Sequence, residues 1–477
     1  MATECIPNQL NLHGIKPLEF SNCCQRKVIA KFDGNHISTN GGVLLLTEIE
    51  NRTHVVQRLS QCFTDYRNPE LIEHSVKELL LQRIYGLALG YEDLNDHDQL
   101  RHDPLLAVAV GKQDPTGNDR SADRDKGKAL AGKSTLNRLE LTPADAIQGP
   151  KKILADHAAM DDLLVDLFLD SYGRRPKRIW LDVDATDDQI HGMQEGRFYH
   201  GYYRHYCYLP LYIFAGDHLL CARLRQSDID GAAGAVDELD RIVKRIRRRW
   251  PKVKIYIRGD SGFCRDELMN WCERDKHRYV LGLAKNNRLK EAISQQMGQA
   301  KTAYQETETS ARVFKDFRYQ TRKSWRRKRR VVGKAEHMAK GENPRFVVTN
   351  IPKSEVNGRD LYEKLYCARG DMENRIKEQQ LSLFADRTST TKMRSNQLRL
   401  YFSSFAYVLM CALRRIGLSG TEMARAQCGT IRLKLLKLGA QTKITVRKVW
   451  ISLSESYPYA QLFRRVFDNI EAYPLLI

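Results

Sequence analysis

The sequence predicts an α/β protein: a mixed-sheet core with a β-strand insertion, a helical N-terminal domain and a helical C-terminal extension. Three observations predict it. Up to about residue 150, apolar side chains recur at helical spacing. Near Arg178 the character changes to short runs rich in β-branched and aromatic residues, alternating with amphipathic helices. From about residue 300 to 349 the chain reads as short extended runs between charged turns.

In chain order, Thr39-Asn-Gly-Gly42 is a turn, and residues 43–59 and 70–89 carry helical periodicity. Asp103-Pro104 opens a short helix, and the polar, Gly/Asp-rich stretch 112–128 reads as a loop. The core begins with a strand at 179–185. Strands at 206–214 and 218–224 follow, joined by Ala215-Gly-Asp217 into a hairpin. A helix over 231–249 turns Val236, Leu239, Ile242, Val243 and Ile246 inward. Then come a strand at 253–257, a helix at 265–275 and a strand at 279–283. This β-β-β-α-β-α-β order is that of a ribonuclease-H-like core, with helical crossovers joining the later strands. The expected division is a helical DNA-binding domain at 1–150, core parts at 151–299 and 351–416 flanking the β-rich insertion at 300–350, and a C-terminal region at 417–477.

Bulk composition narrows the function. Of 477 residues, 42% are hydrophobic, which describes a folded protein long enough for several cores. Lys and Arg number 78 against 58 Asp and Glu, a net +20 that favours polyanions, nucleic acid above all. Eleven cysteines occur without a C-x-x-C pair, which suits reduced thiols in a cytoplasmic compartment. The first residues, Met-Ala-Thr-Glu-Cys-Ile-Pro, show no basic and apolar leader, and the apolar stretch 400–413 is too short to span a bilayer. No secretory signal and no membrane partner are expected.

The chemistry concentrates in three places. Asp182 and Asp184 alternate with Leu181 and Val183, so both project from one side of their strand. Asp260 ends the strand that runs into Ser261-Gly-Phe263. In the helix around Glu373, Tyr366, Arg369, Glu373 and Lys377 share a face. Carboxylates at adjacent strand ends present hard oxygen ligands to Mg²⁺. Asp184, Asp260 and Glu373, with Asp182 as an accessory or hydrogen-bonding member, are therefore the candidate metal ligands. Two ions about 4 Å apart would activate a water or a 3′-hydroxyl and stabilise the leaving oxygen of a phosphodiester. Arg369 and Lys377 would balance phosphate charge.

The insertion carries Arg322-Lys-Ser-Trp-Arg-Arg-Lys-Arg-Arg330, seven basic residues in nine. Arg322, Lys323, Arg326 and Arg327 are candidate phosphate contacts, and Trp325 is a candidate for stacking on an unpaired base. The bland alternative is a solvated hairpin whose tryptophan packs on the core. A second basic cluster, 241–254, reads as a solvated or backbone-contacting face.

Asp184-Ala-Thr186, Arg258-Gly-Asp-Ser-Gly-Phe263 and Tyr366-x-x-Arg369-x-x-x-Glu373 resemble the three catalytic blocks of DDE transposases of bacterial insertion sequences, in the branch with a β-domain before the catalytic Glu. The resemblance covers roughly residues 30–450. It implies Asp184, Asp260 and Glu373 as the metal-binding triad and Mg²⁺ as cofactor, with Mn²⁺ able to substitute. It also implies double-stranded DNA partners (terminal inverted repeats and target), a homodimer on DNA, and a bacterial cytoplasmic protein associated with the nucleoid when active. Much of that family has a Lys seven residues beyond the Glu; here the position is Gln380, and Lys377 or Arg375 is expected to supply the cation.

Two competing readings are carried forward. Gly127-Lys-Ala-Leu-Ala-Gly132-Lys133-Ser134 matches a phosphate-binding loop and would make the chain a P-loop ATPase acting on nucleic acid, but the charged residues 119–126 stand where a buried strand is required. The other is a non-catalytic, basic DNA-binding regulator. His200, His205 and Cys207 lack a second ligand cluster and read as surface or core residues, not a zinc site.

Overall fold

Ile179, Leu181 and Val183 alternate along an eight-residue run, and that period of two makes one apolar face of a strand. The computed structural model of the protein describes residues 16–141 and 152–474. The strands of its large sheet are β1 (Arg178–Ala185), β2 (Leu211–Ala215), β3 (His218–Arg223), β4 (Lys254–Gly259), β5 (Arg278–Leu283), β6 (Ala311–Tyr319), β7 (Arg329–Met338), β8 (Gly341–Glu342) and β9 (Arg345–Thr349). Their spatial order is β3-β2-β1-β4-β5-β9-β7-β6, with β8 paired to β7. β1, β4 and β5 run parallel and the other pairs are antiparallel. The later strands thus extend the first sheet edge to edge.

The helices used below are α1 (Val43–Thr53), α2 (Val76–Leu89), α3 (His157–Asp170), α4 (Ala235–Arg249), α5 (Asp266–Arg274), α6 (Ser294–Thr307), α7 (Gly370–Lys377), α8 (Met393–Ile416) and α9 (Ala460–Glu471). α4 and α5 supply the crossovers to β4 and β5, and Leu239, Ile242, Val243 and Ile246 of α4 are buried in the sheet core as the periodicity predicts. A separate core joins α1, α2 and α9 to α8, whose Leu398, Tyr401, Phe402, Phe405 and Leu409 are buried. Truncating one such aromatic, Phe405→Ala for example, would cost about 3–5 kcal/mol.

Several local expectations change. The strand over 206–214 is two: Pro210 donates no backbone hydrogen bond, and the chain breaks there. His205–Tyr208 joins Asp188–Gln189 and Phe198–His200 in a small separate sheet. Residues 300–307 are helical, completing α6, and the first inserted strand starts at Ala311. Among the described residues, the N-terminal part includes strands Leu18–Cys23 and Arg26–Ala30, whose residues are all exposed and so left no burial pattern to read. The 241–254 cluster is not simply solvated: Arg245 grips Asp166 with two hydrogen bonds of 2.6 Å, Arg241 meets Asp162 at 3.1 Å and Arg249 pairs with Asp170. These partly exposed pairs fasten α4 to α3, each contributing about 0–1 kcal/mol. The N-terminal heptapeptide lies outside the described residues. All ten cysteines within them are free thiols.

Candidate active site

The parallel register of β1 and β4 positions two acids. Asp182 lies opposite Arg258 and Val183 opposite Gly259, so one further step sets Asp184 beside Asp260, on strands about 4.8 Å apart. Their shared face also carries Trp180 and Tyr256, with ring centroids 4.7 Å apart, while the opposite face of β1 enters the core. Asp260 caps the turn Ser261–Phe263, its Oδ1 accepting a hydrogen bond from the Gly262 N–H at 2.8 Å.

Glu373 sits in the first turn of α7. The preceding chain is helical but uneven: wide π-type turns over Leu361–Tyr366, a tight 3₁₀ turn over Cys367–Arg369, then α7, then wide turns again over Glu378–Ser382. Such irregular turns frequently accompany functional sites. They leave Arg369 and Glu373 on the same side. Arg369 Nη1 donates to Asp184 Oδ2 at 2.9 Å and Nη2 donates to Glu373 Oε1, so one guanidinium joins two of the acids. The Tyr366 hydroxyl packs over Gly282 of β5. A Cβ there would stand 2.6 Å from that oxygen and 2.9 Å from the Ser261 nitrogen, so only glycine permits the approach.

Burial pushes the Asp184 carboxyl up to about 6; Arg369 opposes this, and the charges of Asp260 and Glu373 add to it. Burial likewise raises the Tyr366 phenol, with Arg369 opposing and Asp260 adding. Asp184 therefore feels the charges of the other two acids. In donor chemistry the three suit a hard divalent cation, and the like charges around Asp184 are what such a cation would offset. In this structure the positive charge among them is Arg369. Among the described residues no three His, Cys, Asp or Glu side chains are close enough together to hold a metal ion, so the cage expected from the sequence is not drawn together here.

Other expectations are corrected. Of the two roles expected for Asp182, the hydrogen-bonding one is what the contacts show: it is 4% exposed and held by Arg258, whose Nη2 donates to Oδ2 at 2.8 Å and whose Nη1 donates to the Leu365 carbonyl. Burial raises its pKa against the pull of Arg258. Arg375 does not supply the missing cation, because it turns to Asp217 at 2.5 Å and Glu378 at 3.6 Å. Lys377 is exposed on the Glu373 side of α7. Gln380 donates to Asp188 Oδ1 at 2.9 Å and to the Asp187 carbonyl at 3.3 Å. Trp325 is unavailable for stacking: it is 5% exposed, edge-on to Tyr319 at 5.8 Å and covered by Arg329 at 5.5 Å. Within the basic run Arg322, Lys323, Arg326 and Arg327 are exposed, whereas Arg329 is buried on Asp266 and Glu273.

Sequence reasoning gave no role to Arg258, Gly282 or Asp188. Arg258 was readable in principle, since alternation from Asp260 puts it on the same face; the other two depend on contacts remote in sequence. The phosphate-loop reading fails. Residues before Gly127 form turns, and Lys133 opens a helix with its amine 3.2 Å from Asp98.

Two strand-end acids and a helix-borne glutamate, two of them sharing one arginine on a strongly basic chain, define an α/β protein with a carboxylate centre. The particular family follows from comparison: the family described as Transposase DDE domain group 1 matches residues 20–475, and the chain belongs to it. That family generally uses divalent metal ions. A search of curated proteins returned no match. Among the described residues no helix is long and apolar enough to cross a membrane.

Proposed function

We propose that this chain is the transposase of an insertion sequence, cutting DNA at the element's terminal inverted repeats and joining the freed 3′ end to target DNA. The observation that carries this reading is the pairing of Asp184 and Glu373 with the single guanidinium of Arg369, with Asp260 one register step from Asp184 on the neighbouring strand, in a member of the DDE transposase family. The strand order β3-β2-β1-β4-β5, with only β1, β4 and β5 parallel, supports a ribonuclease-H-like core, and β6 to β9 an insertion before the glutamate.

Asp184, Asp260 and Glu373 would hold two Mg²⁺ ions, with Mn²⁺ able to replace them. Bound divalent ions supply an activated water or 3′-hydroxyl and a counter-charge for the leaving oxygen. The chain's own groups do the rest. Asp184 and Asp260 are fixed by strand register, and Glu373 approaches on α7. Arg369 has two donors that pair with carboxylates here and suit a phosphate equally well. Tyr366, pinned against Gly282, and exposed Lys377 would flank the same phosphate, and the exposed cations of the 322–327 segment would contact the DNA backbone. Two element ends must be held together, which asks for a dimer on DNA in the bacterial cytoplasm.

The test incubates purified protein with labelled element-end DNA in Mg²⁺, Mn²⁺ or EDTA, comparing wild type with Asp260→Ala. Metal-dependent cleavage lost in the variant is expected. Cleavage surviving both EDTA and the substitution would discard the mechanism, and DNA binding with no cleavage by wild type would favour the regulator.

A further inference from the structure

The chain leaves Asp184 and within four residues enters the small sheet of Asp188–Gln189, Phe198–His200 and His205–Tyr208. This sheet spends its aromatic residues on solvent. Tyr202 is 83% exposed, Tyr199 59%, Tyr206 43% and Phe198 40%. The rings are organised: Tyr199 meets Tyr206 edge-on at 5.6 Å, Tyr202 meets Tyr203 edge-on at 5.1 Å, and Tyr203 stacks on His205 at 6.1 Å. Cations accompany them. Arg197 lies over Tyr206 at 4.6 Å, and exposed Arg204 turns the hairpin tip with φ +62°, its N–H donating to the His200 carbonyl at 2.7 Å.

The sheet is tied to the chain that leaves the carboxylate centre. His205 Nε2 lies 2.7 Å from Asp187 Oδ2, three residues beyond Asp184, and burial raises the Tyr203 phenol, with the charges of Asp187 and Asp184 adding to it. An apolar protein partner would want aliphatic cover and few cations. Exposed, edge-presented aromatic rings interleaved with arginine suit nucleobases and their phosphates. Trp325, the aromatic residue the sequence suggested for that task, is buried.

We infer that the tyrosine-rich sheet, led by Tyr199 and Tyr202, stacks on unpaired bases of the DNA next to the scissile phosphate. This rests on the proposed transposase reading and adds where the strand leaving the centre is held. Opening the duplex exposes a base face to a tyrosine ring, and Arg197 and Arg204 lie where its phosphates would pass.

The experiment needs no cleavage, so it is run in EDTA with the full-length chain. The probe is a duplex with a single-stranded tail carrying 2-aminopurine, against a blunt duplex of the same paired sequence. Wild type should prefer the tailed probe, with the 2-aminopurine emission changing on binding. Tyr202→Ala and Tyr199→Ala should lower affinity for the tailed probe roughly 5- to 100-fold while leaving the blunt duplex unchanged. Tyr202→Trp should restore both affinity and emission change, which a merely structural role would not do. Equal tail preference and emission change in wild type and both alanine variants would overturn the inference. Failure of the transposase reading shows separately, as cleavage indifferent to Asp260→Ala.

Discussion

Arg369 and Asp184 meet at 2.9 Å although 185 positions separate them, and the same guanidinium reaches Glu373 four residues on. The contact fastens the helix of the third acid to the strand of the first. Arg369→Ala should lower single-turnover cleavage by roughly 10²- to 10³-fold, the range for a missing charge-stabilising donor. Arg369→Lys should not restore it, since one ammonium cannot reproduce a two-armed fork. Full activity in the lysine variant would refute the shared-donor role.

Gly282 makes room for Tyr366. In Gly282→Ala the new methyl meets the phenol oxygen and the Ser261 nitrogen well inside contact distance. The expected outcome is a stability loss of about 1–3 kcal/mol by urea unfolding, with cleavage reduced beyond what Tyr366→Phe alone produces. Unchanged stability would mean that the tyrosine is not held there.

These two contacts show where sequence reading works. That Asp184 lies beside Asp260, and Arg369 beside Glu373, was legible because strand alternation and helical spacing are local periodicities. The core strands could be ordered because β-branched runs and amphipathic helices alternate. What stayed hidden depends on partners: which of its two expected roles Asp182 takes shows only beside Arg258, and Arg375 looked like a spare cation until Asp217 took it. Trp325 stands in the most basic run of the chain, yet its neighbours Tyr319 and Arg329 bury it. The broken strand at Pro210 and the exposed strands at 18–30 carry too little burial pattern to be told from loops.

Asp188 gives a pH prediction. It is fully buried, and burial pushes its carboxyl up to about 8; the Gln380 hydrogen bond opposes this and the charges of Asp386 and Asp187 add to it. The unfolded chain releases the proton near pH 3.9, whereas the folded chain keeps it to about pH 8. The stabilisation is therefore complete below about pH 4 and is lost as pH rises through about 8, by at most about 1.4 kcal/mol per pH unit. Asp188→Asn removes the titration, so urea midpoints measured across this range should show a flatter curve and a variant more stable than wild type at about pH 9. Parallel curves would contradict the buried, protonated state.

The basic run divides into two functions. Arg322, Lys323, Arg326 and Arg327 are exposed, and replacing all four with alanine should weaken DNA binding at every sequence. The slope of log K against log salt should flatten by up to about 0.9 for each phosphate no longer neutralised. Arg329→Ala should instead destabilise the protein, since it strips Asp266 and Glu273 of their buried partner. Equal salt slopes in wild type and the fourfold variant would remove the run from the DNA path.

The account rests most on Asp184, Asp260 and Glu373 acting on shared cations, and Mn²⁺ binding followed by electron paramagnetic resonance tests that without DNA. Wild type should bind Mn²⁺, competed by Mg²⁺, and Asp184→Asn, Asp260→Asn and Glu373→Gln should each weaken it, whereas Asp182→Asn should lose no ligand. Mn²⁺ binding unchanged in all three carboxylate variants would contradict the account.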